Sequence, residues 1–526
     1  MNAQTLFAAA AVPGLIIPSR HCARLDRLEI GNVTADSRRA GPNSLFVAIA
    51  GGQVDGHAYV ADAVGRGCRM VLTACDHPGG FPLTAEGELL FLEAPDTREA
   101  FGRLCSAFHG HPARKMVMIG ITGTNGKTTS SYLLEDLIGR AGGVPGVIGT
   151  VNYRYREQVE PASHTTPEPE TLHRLLAAMA TAGVSHVIME VSSHALEQGR
   201  VAGISFDVAL FTNLSHDHLD YHGDMSSYYA SKKRLFTCHL KPGGAAVVVA
   251  GDQWNQRLAA ELLPRSAAAG SLRGLKLLRC GFGNGGELSV MERRADLNGV
   301  AARLKGVGGE WWLRSSLVGD FNLLNLLGVA GVGLALGYAP EVIGVGLAAA
   351  PPPPGRLERF SSPAGVEIFV DYAHTPDALE HVLKALRPHA ARLVVIFGCG
   401  GDRDRAKRPV MGEIAGRLAD IVILTSDNPR SEKPAAILTA IETGVRKAGM
   451  TRCRLESLLP GSQGRRGYDL VESRRRAIRD AMLFARSGDL LLLCGKGHET
   501  TQITGSTSHH FDDRQEVAEQ LAVVRC

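Results

Sequence analysis

The segment 115–142, KMVMIGITGTNGKTTSSYLLEDLIGRAG, constrains the fold of this chain more than any other feature. An apolar run ends in the glycine-rich turn GTNGKTT (123–129), and an amphipathic helical stretch follows it. This order of strand, glycine turn and helix is how a doubly wound parallel sheet begins. Apolar runs that end in polar residues recur at SHVIMEVSSHAL, DVALFTNLSHDH and GAAVVVAGD. The sequence therefore predicts an α/β domain that binds ligands at the carboxyl ends of its strands.

The turn GTNGKTT predicts a phosphate-binding loop, because backbone N–H groups at a helix N-terminus can cradle phosphate oxygens. In such a loop Lys127 reaches the β and γ phosphates and the Thr128 hydroxyl binds Mg²⁺. The strict P-loop pattern is not met, since Ile121 stands where its first glycine belongs. The predicted ATP-binding residues of the loop are Gly123, Thr124, Asn125, Gly126, Lys127, Thr128 and Thr129.

The length of 526 residues is too great for one hydrophobic core and predicts three domains, 1–112, 113–350 and 351–526. His111-Pro112 marks the first boundary. The four prolines in AAAPPPPGRLERF (348–360) cannot continue a helix and predict a stiff linker at the second. Beyond the linker a second set of apolar strands ends in polar residues, and 451–471 is predicted to be a surface insertion.

Composition excludes several classes of protein. A net charge of +4, without a block of basic residues, gives no support to nucleic-acid binding. Ten cysteines without C-x-x-C pairs favour reduced thiols in a cytoplasmic protein over zinc clusters or disulfides. Pro13-Gly14 interrupts the first apolar run, which argues against a signal peptide. The apolar stretch 323–350 is broken by Asn325, glycines and Pro340, which predicts two buried helices and no membrane insertion.

Further motifs follow the loop in a fixed order: MEVSSH (189–194), TNLSHDHLDYHGD (212–224), YYASKKRLF (228–236), GDFNLLN (319–325), PGRLE (354–358) and VDYAHTPDAL (370–379). Their assembly resembles the Mur ligases, the ATP-dependent amide-forming enzymes of peptidoglycan precursor synthesis. FGCGGDRDRAKRP (397–409), DNPR (427–430) and GKGHE (495–499) make the chain similar to the members that add the third peptide residue. The resemblance runs from DSR (36–38) to GKGHE.

The resemblance implies an α/β fold of three domains: a small uridine-binding domain, a central P-loop ATPase domain with a doubly wound parallel sheet, and a Rossmann-like C-terminal domain that binds the amino acid. It implies a cytoplasmic enzyme of cell-wall synthesis, and so of cell shape and division, and we expect a monomer. Amide formation needs an activated carboxylate, which ATP supplies as an acyl phosphate. Mg²⁺ and cationic side chains must offset the crowded negative charge during phosphoryl transfer.

The predicted catalytic residues are Lys127, Glu190, His218 and Lys232. Thr128, Glu190 and His218 suit a Mg²⁺ site, being oxygen and imidazole ligands at strand or loop ends. By resemblance, Lys232 is carbamylated by CO₂ to N6-carboxylysine, which turns a cation into an oxygen ligand. Ser231 replaces the usual alanine before it, and the neighbouring Lys233 leaves an ambiguity of one residue.

The resemblance also assigns substrate contacts. Asn325, Arg356 near the phosphates and Asp371 near the ribose would hold ATP. The acceptor would be a UDP-linked muramoyl dipeptide ending in D-glutamate, with Ser37 and the loop GGQVDG (51–56) at the uridine end. The residues expected along the rest of the acceptor are Thr165, Thr166, Ser192, Gln198 and Arg200.

The incoming amino acid is expected in the third domain, where predicted ligands lie at strand ends. They are Arg403, Asp427, Asn428, Pro429, Arg430, Gly495 and Glu499. An arginine can pair bidentately with the distal carboxylate of meso-diaminopimelate, whereas L-lysine has no carboxylate there. A site built to bond a group rejects an analogue lacking it by about 10⁴-fold, which favours diaminopimelate.

Three other functions fit parts of the pattern. The first is the same ligase acting on L-lysine. The second is another amide-forming ligase, of the folylpolyglutamate synthetase type or the type that adds a dipeptide. The third is a P-loop switch protein without amide chemistry, which leaves Lys232, His218 and the third-domain residues unexplained. Release of ADP that depends on both a UDP-muramoyl dipeptide and a diamino acid separates these functions.

Overall fold

The computed structural model describes residues 1–51, 54–77, 89–267, 274–283, 285–458 and 466–524. Three mixed α/β units follow one another along the chain, each built on its own main sheet. This confirms the predicted three-domain α/β architecture, while the exact domain boundaries stay a prediction. Within the described residues no helix is both long and apolar enough to cross a membrane.

The N-terminal unit contains a parallel four-stranded sheet in the order β1-β2-β3-β4. Its strands are β1 (Asn32–Thr34), β2 (Ser44–Val47), β3 (Met70–Ala74) and β4 (Leu90–Ala94), and its helices are α1 (Ala3–Ala10), α2 (Ser19–Cys22), α3 (Val60–Gly65) and α4 (Thr97–Phe108). Short 3₁₀ turns occur at Ser37–Arg39, Gly56–Tyr59 and Pro112–Lys115. Helix α4 begins where the Asp96 carboxylate accepts hydrogen bonds from the amides of Arg98 and Glu99, a capping arrangement that stabilises helix starts.

The middle unit is built on an eleven-stranded sheet in the order β15-β14-β13-β12-β11-β10-β5-β9-β6-β7-β8. The strands are β5 (Val117–Thr122), β6 (Pro145–Ile148), β7 (Asn152–Tyr155), β8 (Gln158–Pro161), β9 (His186–Glu190), β10 (Phe206–Phe211), β11 (Leu240–Ala250), β12 (Lys276–Phe282), β13 (Leu288–Asp296), β14 (Gly299–Gly306) and β15 (Gly309–Ser315). The seven central strands are parallel, and antiparallel pairs extend both edges. Strand β5 lies between β10 and β9, so the loop after it opens where the sheet changes winding direction, a common ligand site.

Helices cover both faces of this sheet. They are α5 (Lys127–Arg140), α6 (Pro169–Thr181), α7 (Ser193–Glu197), α8 (Leu219–His222), α9 (Met225–Thr237), α10 (Gln253–Ala267), α11 (Asp320–Ala335) and α12 (Pro340–Ala349). The apolar stretch 323–350 forms α11 and α12, as predicted. Helix α11 is almost entirely buried against the sheet, and α12 buries one face, with Ile343 and Leu347 in the core. Residues 350–353 after α12 belong to no helix or strand, as expected of the proline linker.

The C-terminal unit has a six-stranded sheet in the order β16-β17-β21-β18-β19-β20, parallel except for β16. Its strands are β16 (Glu358–Ser361), β17 (Glu367–Asp371), β18 (Arg392–Phe397), β19 (Ile421–Leu424), β20 (Gly467–Leu470) and β21 (Asp489–Cys494), with a separate hairpin β22 (Thr501–Thr504) and β23 (Thr507–His510). The helices are α13 (Pro376–Leu386), α14 (Lys407–Leu418), α15 (Pro434–Lys447), α16 (Leu455–Leu458), α17 (Arg474–Phe484) and α18 (Asp513–Val524), with a 3₁₀ turn at Arg387–His389.

The prediction of a surface insertion at 451–471 is wrong at its end. Residues 467–470 form β20, which pairs in parallel with β19 at the edge of the main sheet. Tyr468 there is buried in the core, and its hydroxyl donates to Glu442 at 2.7 Å. The strand is short and its polar residues hide its period, so composition alone resembled a loop. Residues 459–465 of this segment lie outside the described residues.

Candidate active site

The phosphate loop joins β5 to α5 and holds a lysine folded back upon it. Lys127 is the first residue of α5, and its Nζ donates to the carbonyls of Gly123 and Thr124 at 2.8 and 2.9 Å. Gly126 has φ +84°, and a Cβ added there would overlap Asn325 Oδ1. Burial lowers the pKa of Lys127. The loop therefore presents its amides and one buried ammonium to the space above the sheet, the arrangement that binds phosphates.

A buried carboxylate lies beside the loop. Glu190, at the end of β9, is 1% exposed and accepts hydrogen bonds from the hydroxyls of Thr128 and Thr150 at 3.0 and 2.9 Å. Ser131 and the Thr150 amide contact its other oxygen at 3.4 and 3.2 Å. The Thr128 hydroxyl and a carboxylate at this spacing are the hard oxygen donors that Mg²⁺ takes in phosphoryl-transfer sites. The residues present thus fit the ion.

Lys232 and Lys233, indistinguishable in sequence, occupy different environments. Lys232 on α9 is 2% exposed and its Nζ donates to the Gly123 carbonyl at 2.8 Å, the same carbonyl that Lys127 uses. Burial and the charge of Lys127 hold the pKa of Lys232 well below its usual range. Lys233 points away and pairs with Glu261 at 3.0 Å. Ser231, in place of alanine, donates to Glu197 at 2.6 Å. The structure thus places Lys232, and not Lys233, at the loop.

His218 lies near Lys232 in a cluster of rings. Its ring is 5.0 Å from that of His194 and 6.2 Å from that of Tyr228, over which Lys232 Nζ also lies, at 4.6 Å. Desolvation lowers the pKa of His218 to about 4, so the imidazole is neutral at pH 7, the form that binds a metal ion. The side chain is 49% exposed, and its Nε2 lies 3.5 Å from Asp217 Oδ2. His218 has the left-handed φ of +53°, uncommon for a residue other than glycine. The backbone is therefore held in an unusual conformation at this predicted ligand.

A cavity of ≈ 270 Å³ opens between the middle and C-terminal units, next to the phosphate loop. All three nucleotide residues predicted outside the loop line it: Asn325, Arg356 and Asp371. The Arg356 guanidinium lies 4.6 Å above the Tyr372 ring, and its buried Nε has no hydrogen-bond partner among the described residues. This cavity has the size and the polar groups expected of a nucleoside site.

Asp371 also has a structural task that the sequence did not indicate. Its two carboxylate oxygens accept hydrogen bonds from the amides of Leu357 and Ala373, each at 2.7 Å. These bonds tie the end of β17 to the linker that carries Arg356. Each oxygen keeps a further lone pair, which leaves room for the predicted ribose contact.

Contacts between units in this cavity include one that sequence reasoning missed. Asp377, at the start of α13, accepts a hydrogen bond from the Asn125 side chain of the phosphate loop at 3.0 Å. It also pairs with His381 at 3.2 Å, and that hydrogen bond raises the pKa of His381. The signal available was the position of Asp377 in VDYAHTPDAL, which follows a predicted nucleotide residue and begins a helix.

The predicted acceptor residues of the middle unit form one hydrogen-bonded group. The Thr166 hydroxyl donates to the Glu190 carbonyl at 2.8 Å and accepts from the Ser192 amide at 3.0 Å. Arg200 contacts Gln198 at 2.6 Å and the Thr166 carbonyl at 3.0 Å, and pairs with Glu168 at 2.9 Å. Its guanidinium is thus partly neutralised by protein groups.

Other acceptor residues lie on either side of this group. The Thr165 hydroxyl is 3.1 Å from that of Thr150, which connects the acceptor group to Glu190. Gln198 lines a cavity of ≈ 230 Å³ between the N-terminal and middle units, together with Ile49 and Gly51. Ser37 is buried in its 3₁₀ turn in the N-terminal unit, away from this cavity's lining. Residues 52 and 53 of the loop GGQVDG lie outside the described residues.

The predicted amino-acid residues converge at the ends of β19 and β21. Arg430 Nη1 donates to the Gly401 carbonyl at 2.7 Å, and a Cβ added at Gly400 would lie 2.9 Å from the same nitrogen. Arg403 Cγ would lie 3.6 Å from the same added Cβ, and Arg403 is exposed. The Pro429 carbonyl packs against Gly401. Arg403 thus belongs to the loop 400–403, and Arg430 contacts that loop.

Acidic groups meet in this same cluster of residues, the amino-acid pocket. The Asn428 amide donates to Glu499 at 2.8 Å, and Asp427 Oδ2 lies so near Gly495 that a Cβ there would be 2.7 Å away. Lys496, fully buried, lies among them. Sequence reasoning missed Lys496, although it stands within GKGHE beside two residues that were predicted.

A second group of metal-type ligands lies in the N-terminal unit: Asp55, His57 and His77. Its hydrogen bonds argue against a metal site. His57 Nε2 accepts from the Ala74 amide at 3.1 Å, which leaves Nδ1 to donate to Asp55 at 2.7 Å. Both ring nitrogens of His57 are therefore engaged.

Comparison with known proteins decides the family. A protein of Geobacter metallireducens called UDP-N-acetylmuramoyl-L-alanyl-D-glutamate--2,6-diaminopimelate ligase is 45% identical over 501 residues, covering 93% of this chain and 94% of its own. The chain belongs to the Mur ligase family. A Synechococcus elongatus protein with the same name is 41% identical and covers 99% of each chain. These Mur ligases align with almost the full length of this one.

Family models and solved structures agree with that membership. Models described as Mur ligase family catalytic domain, Mur ligase middle domain, and Mur ligase glutamate ligase domain match residues 29–109, 121–333 and 355–497. A structure of a UDP-N-acetylmuramoyl-L-alanyl-D-glutamate--2,6-diaminopimelate ligase is 28% identical, with a TM-score of 0.69 over 100% of this chain and 99% of that one. MurF from Acinetobacter baumannii, at 18% identity and a TM-score of 0.61, shares the fold. As a Mur ligase, the chain is an ATP-dependent enzyme that forms amide bonds.

Proposed function

We propose that this Mur ligase joins meso-2,6-diaminopimelate to the D-glutamate of UDP-N-acetylmuramoyl-L-alanyl-D-glutamate, with ATP converted to ADP and phosphate. Support comes from relatives at 37–45% identity that carry this one name. The observation that carries the proposal is the amino-acid pocket, where Arg430 donates to the Gly401 carbonyl and the Asp427 and Glu499 carboxylates lie within 3.8 Å of the Lys496 ammonium. Such a pocket suits a substrate end that bears both a carboxylate and an ammonium. A reaction that consumes ATP and a UDP-linked precursor belongs in the cytosol.

The first step is transfer of the γ-phosphoryl group to the D-glutamate side-chain carboxylate, giving an acyl phosphate and ADP. The amides of loop 123–129 and the Lys127 ammonium hold the phosphates and offset their charge. Asn325, Arg356 and Asp371 hold the nucleoside in the cavity beside the loop. Thr165, Thr166, Ser192, Gln198 and Arg200 orient the acceptor toward Glu190.

Mg²⁺ would be held by Thr128, Glu190, His218 and a carbamylated Lys232, and it supplies charge neutralisation during phosphoryl transfer. The environment of Lys232 fits carbamylation, because CO₂ reacts with an unprotonated amine and this amine is buried with a lowered pKa. Formation of the carbamate places an anion beside the Lys127 ammonium, so the two side chains attract each other.

The second step is attack of the amino group of diaminopimelate on the acyl carbon, which forms the amide and releases phosphate. Arg403 and Arg430 would take the distal carboxylate, and Asp427 and Glu499 the distal ammonium. Asn428, Pro429 and Gly495 shape the pocket between them. L-lysine would leave the arginines without a partner, which is how a pocket of this type rejects an analogue.

The test is release of ADP by the purified protein, with acceptor and amino acid each omitted in turn. We expect full turnover only with UDP-N-acetylmuramoyl-L-alanyl-D-glutamate and meso-diaminopimelate together, and little with L-lysine. Equal turnover with L-lysine would refute the choice of amino acid. Turnover that is independent of the acceptor would refute the ligase reaction.

A further inference from the structure

Lys496 is a fully buried lysine in the amino-acid pocket for which the reaction scheme above has no role. It is 0% exposed, and its Nζ lies 3.2 Å from Glu499 Oε2 and 3.8 Å from Asp427 Oδ1. A buried ammonium is costly unless it is paired and hydrogen-bonded. The environment of Lys496 meets both requirements.

The ammonium connects three segments of the pocket. Nζ donates to the Thr501 carbonyl at 2.6 Å and to Asn428 Oδ1 at 3.4 Å. Asn428 Oδ1 also accepts from the Ile503 amide at 3.0 Å, and the Ile503 carbonyl accepts from the Arg430 amide at 3.1 Å. Lys496 thereby links GKGHE, the hairpin that begins with β22, and the DNPR segment.

The negative charges of the carboxylates beside Lys496 outnumber its positive charge by one. Asp427 and Glu499 carry two carboxylates, and Lys496 supplies one ammonium. Arg474, a second buried cation whose charge acts on Asp427, is already paired with Asp513 at 2.6 Å. Tyr372, which also faces Glu499 and Asp427, is uncharged at neutral pH. A single uncompensated negative charge suits one substrate ammonium.

We propose that Lys496 is a positioning residue for the incoming amino acid. Its ammonium holds Glu499 and Asn428 in place, keeps Glu499 ionised beside Asp427, and leaves one negative charge for the distal ammonium of the substrate. This inference rests on the proposed function and deepens it. Lys496 touches the residues that bind the substrate and no reacting atom.

Glu499 provides the measurement that separates this role from plain structural support. Burial and the Asp427 charge already raise the pKa of Glu499, while Lys496 opposes that rise. Removing the ammonium raises the pKa of Glu499 further, so Glu499 takes up a proton at a higher pH in Lys496→Met than in wild type. As the pH is lowered, the KM for diaminopimelate should therefore begin to rise at a higher pH in Lys496→Met than in wild type.

The experiment measures kcat and KM for meso-diaminopimelate in wild type, Lys496→Met and Lys496→Gln. We expect KM to rise about 30-fold in both variants, because a hydrogen bond between charged groups is lost. Formation of the acyl phosphate, trapped with hydroxylamine in the absence of amino acid, should keep its wild-type rate. That rate also reports that the C-terminal unit is folded, since Arg356 and Asp371 belong to it.

Two controls complete the design. Arg392 forms an equally buried ion pair with Asp489 in the same sheet, far from the strand ends that form the pocket, and Arg392→Met should leave KM unchanged. In a Glu499→Gln background, Lys496→Met should raise KM less than threefold, because the carboxylate charge that Lys496 pairs with is gone. An unchanged KM in Lys496→Met, or an additive effect in the Glu499→Gln background, overturns the inference. Failure of the wild type to use diaminopimelate overturns the proposed function instead.

Discussion

Replacing Arg430 by Ala tests the amino-acid pocket most directly. The Arg430 guanidinium uses one N–H for the Gly401 carbonyl, so four of its five donors remain for a substrate carboxylate. Truncating one partner of a buried, hydrogen-bonded charge pair costs about 2–5 kcal/mol, which corresponds to a loss of about 30- to 5,000-fold in kcat/KM. Alanine tolerates the left-handed φ of +50° as well as arginine does, so the backbone is not the cause of the loss.

The assay for Arg430→Ala is ADP release at varied diaminopimelate, with formation of the acyl phosphate followed separately. The loss should fall on the diaminopimelate step and spare formation of the acyl phosphate, because Arg430 is not among the residues assigned to ATP or to the acceptor. Arg430→Lys should recover little, because an ammonium cannot bind a carboxylate bidentately. Arg405→Ala serves as the matched control, since Arg405 lies just after loop 400–403, is 74% exposed and pairs with Glu432 at 3.4 Å. Full activity of Arg430→Ala would refute the assignment of the distal carboxylate.

Three further changes test the rest of the site and the fold. Lys232→Ala should abolish formation of the acyl phosphate, with partial rescue by short carboxylates, whereas Lys233→Ala should stay near wild type; full activity of Lys232→Ala without added carboxylate would show that the carbamate is not needed. Gly126→Ala should raise the KM for ATP at least tenfold, because its Cβ would overlap Asn325 at a φ of +84°, and an unchanged KM would contradict that geometry. His173 is buried, and its pKa falls from 6.5 in the unfolded chain to about 4 in the folded protein. As the pH is lowered from 6.5 toward 4, the unfolded chain is protonated first, so the free energy of unfolding should fall by about 3 kcal/mol. Urea unfolding of His173→Gln should show a smaller fall in the free energy of unfolding than wild type over that pH range.

Sequence reasoning located the phosphate loop, both sets of strands and the family, because these depend on local pattern: apolar runs, glycine positions and the order of motifs. It chose Lys232 by its place in the motif but left Lys233 as an ambiguity of one residue, since only packing turns Lys232 toward Gly123. It also missed Lys496 and Asp377, whose partners lie 69 and 252 positions away in the chain. Long-range pairing of polar groups leaves no periodic pattern in the sequence. A short edge strand such as β20 has too few residues to show the alternation of apolar and polar positions.

The end of β17 connects the nucleotide site to the amino-acid site. Asp371 lies opposite Cys494 in the pairing of β17 with β21, and the Gly495 amide donates to the Asp371 carbonyl at 3.2 Å. The same Asp371 binds the linker through the Leu357 amide, and that linker carries Arg356 into the nucleotide cavity. A chain of hydrogen bonds therefore joins the segment that carries Arg356 to Gly495, beside the Asp427 carboxylate. The nucleotide site and the amino-acid site thus share one structural element, the carboxyl end of β17.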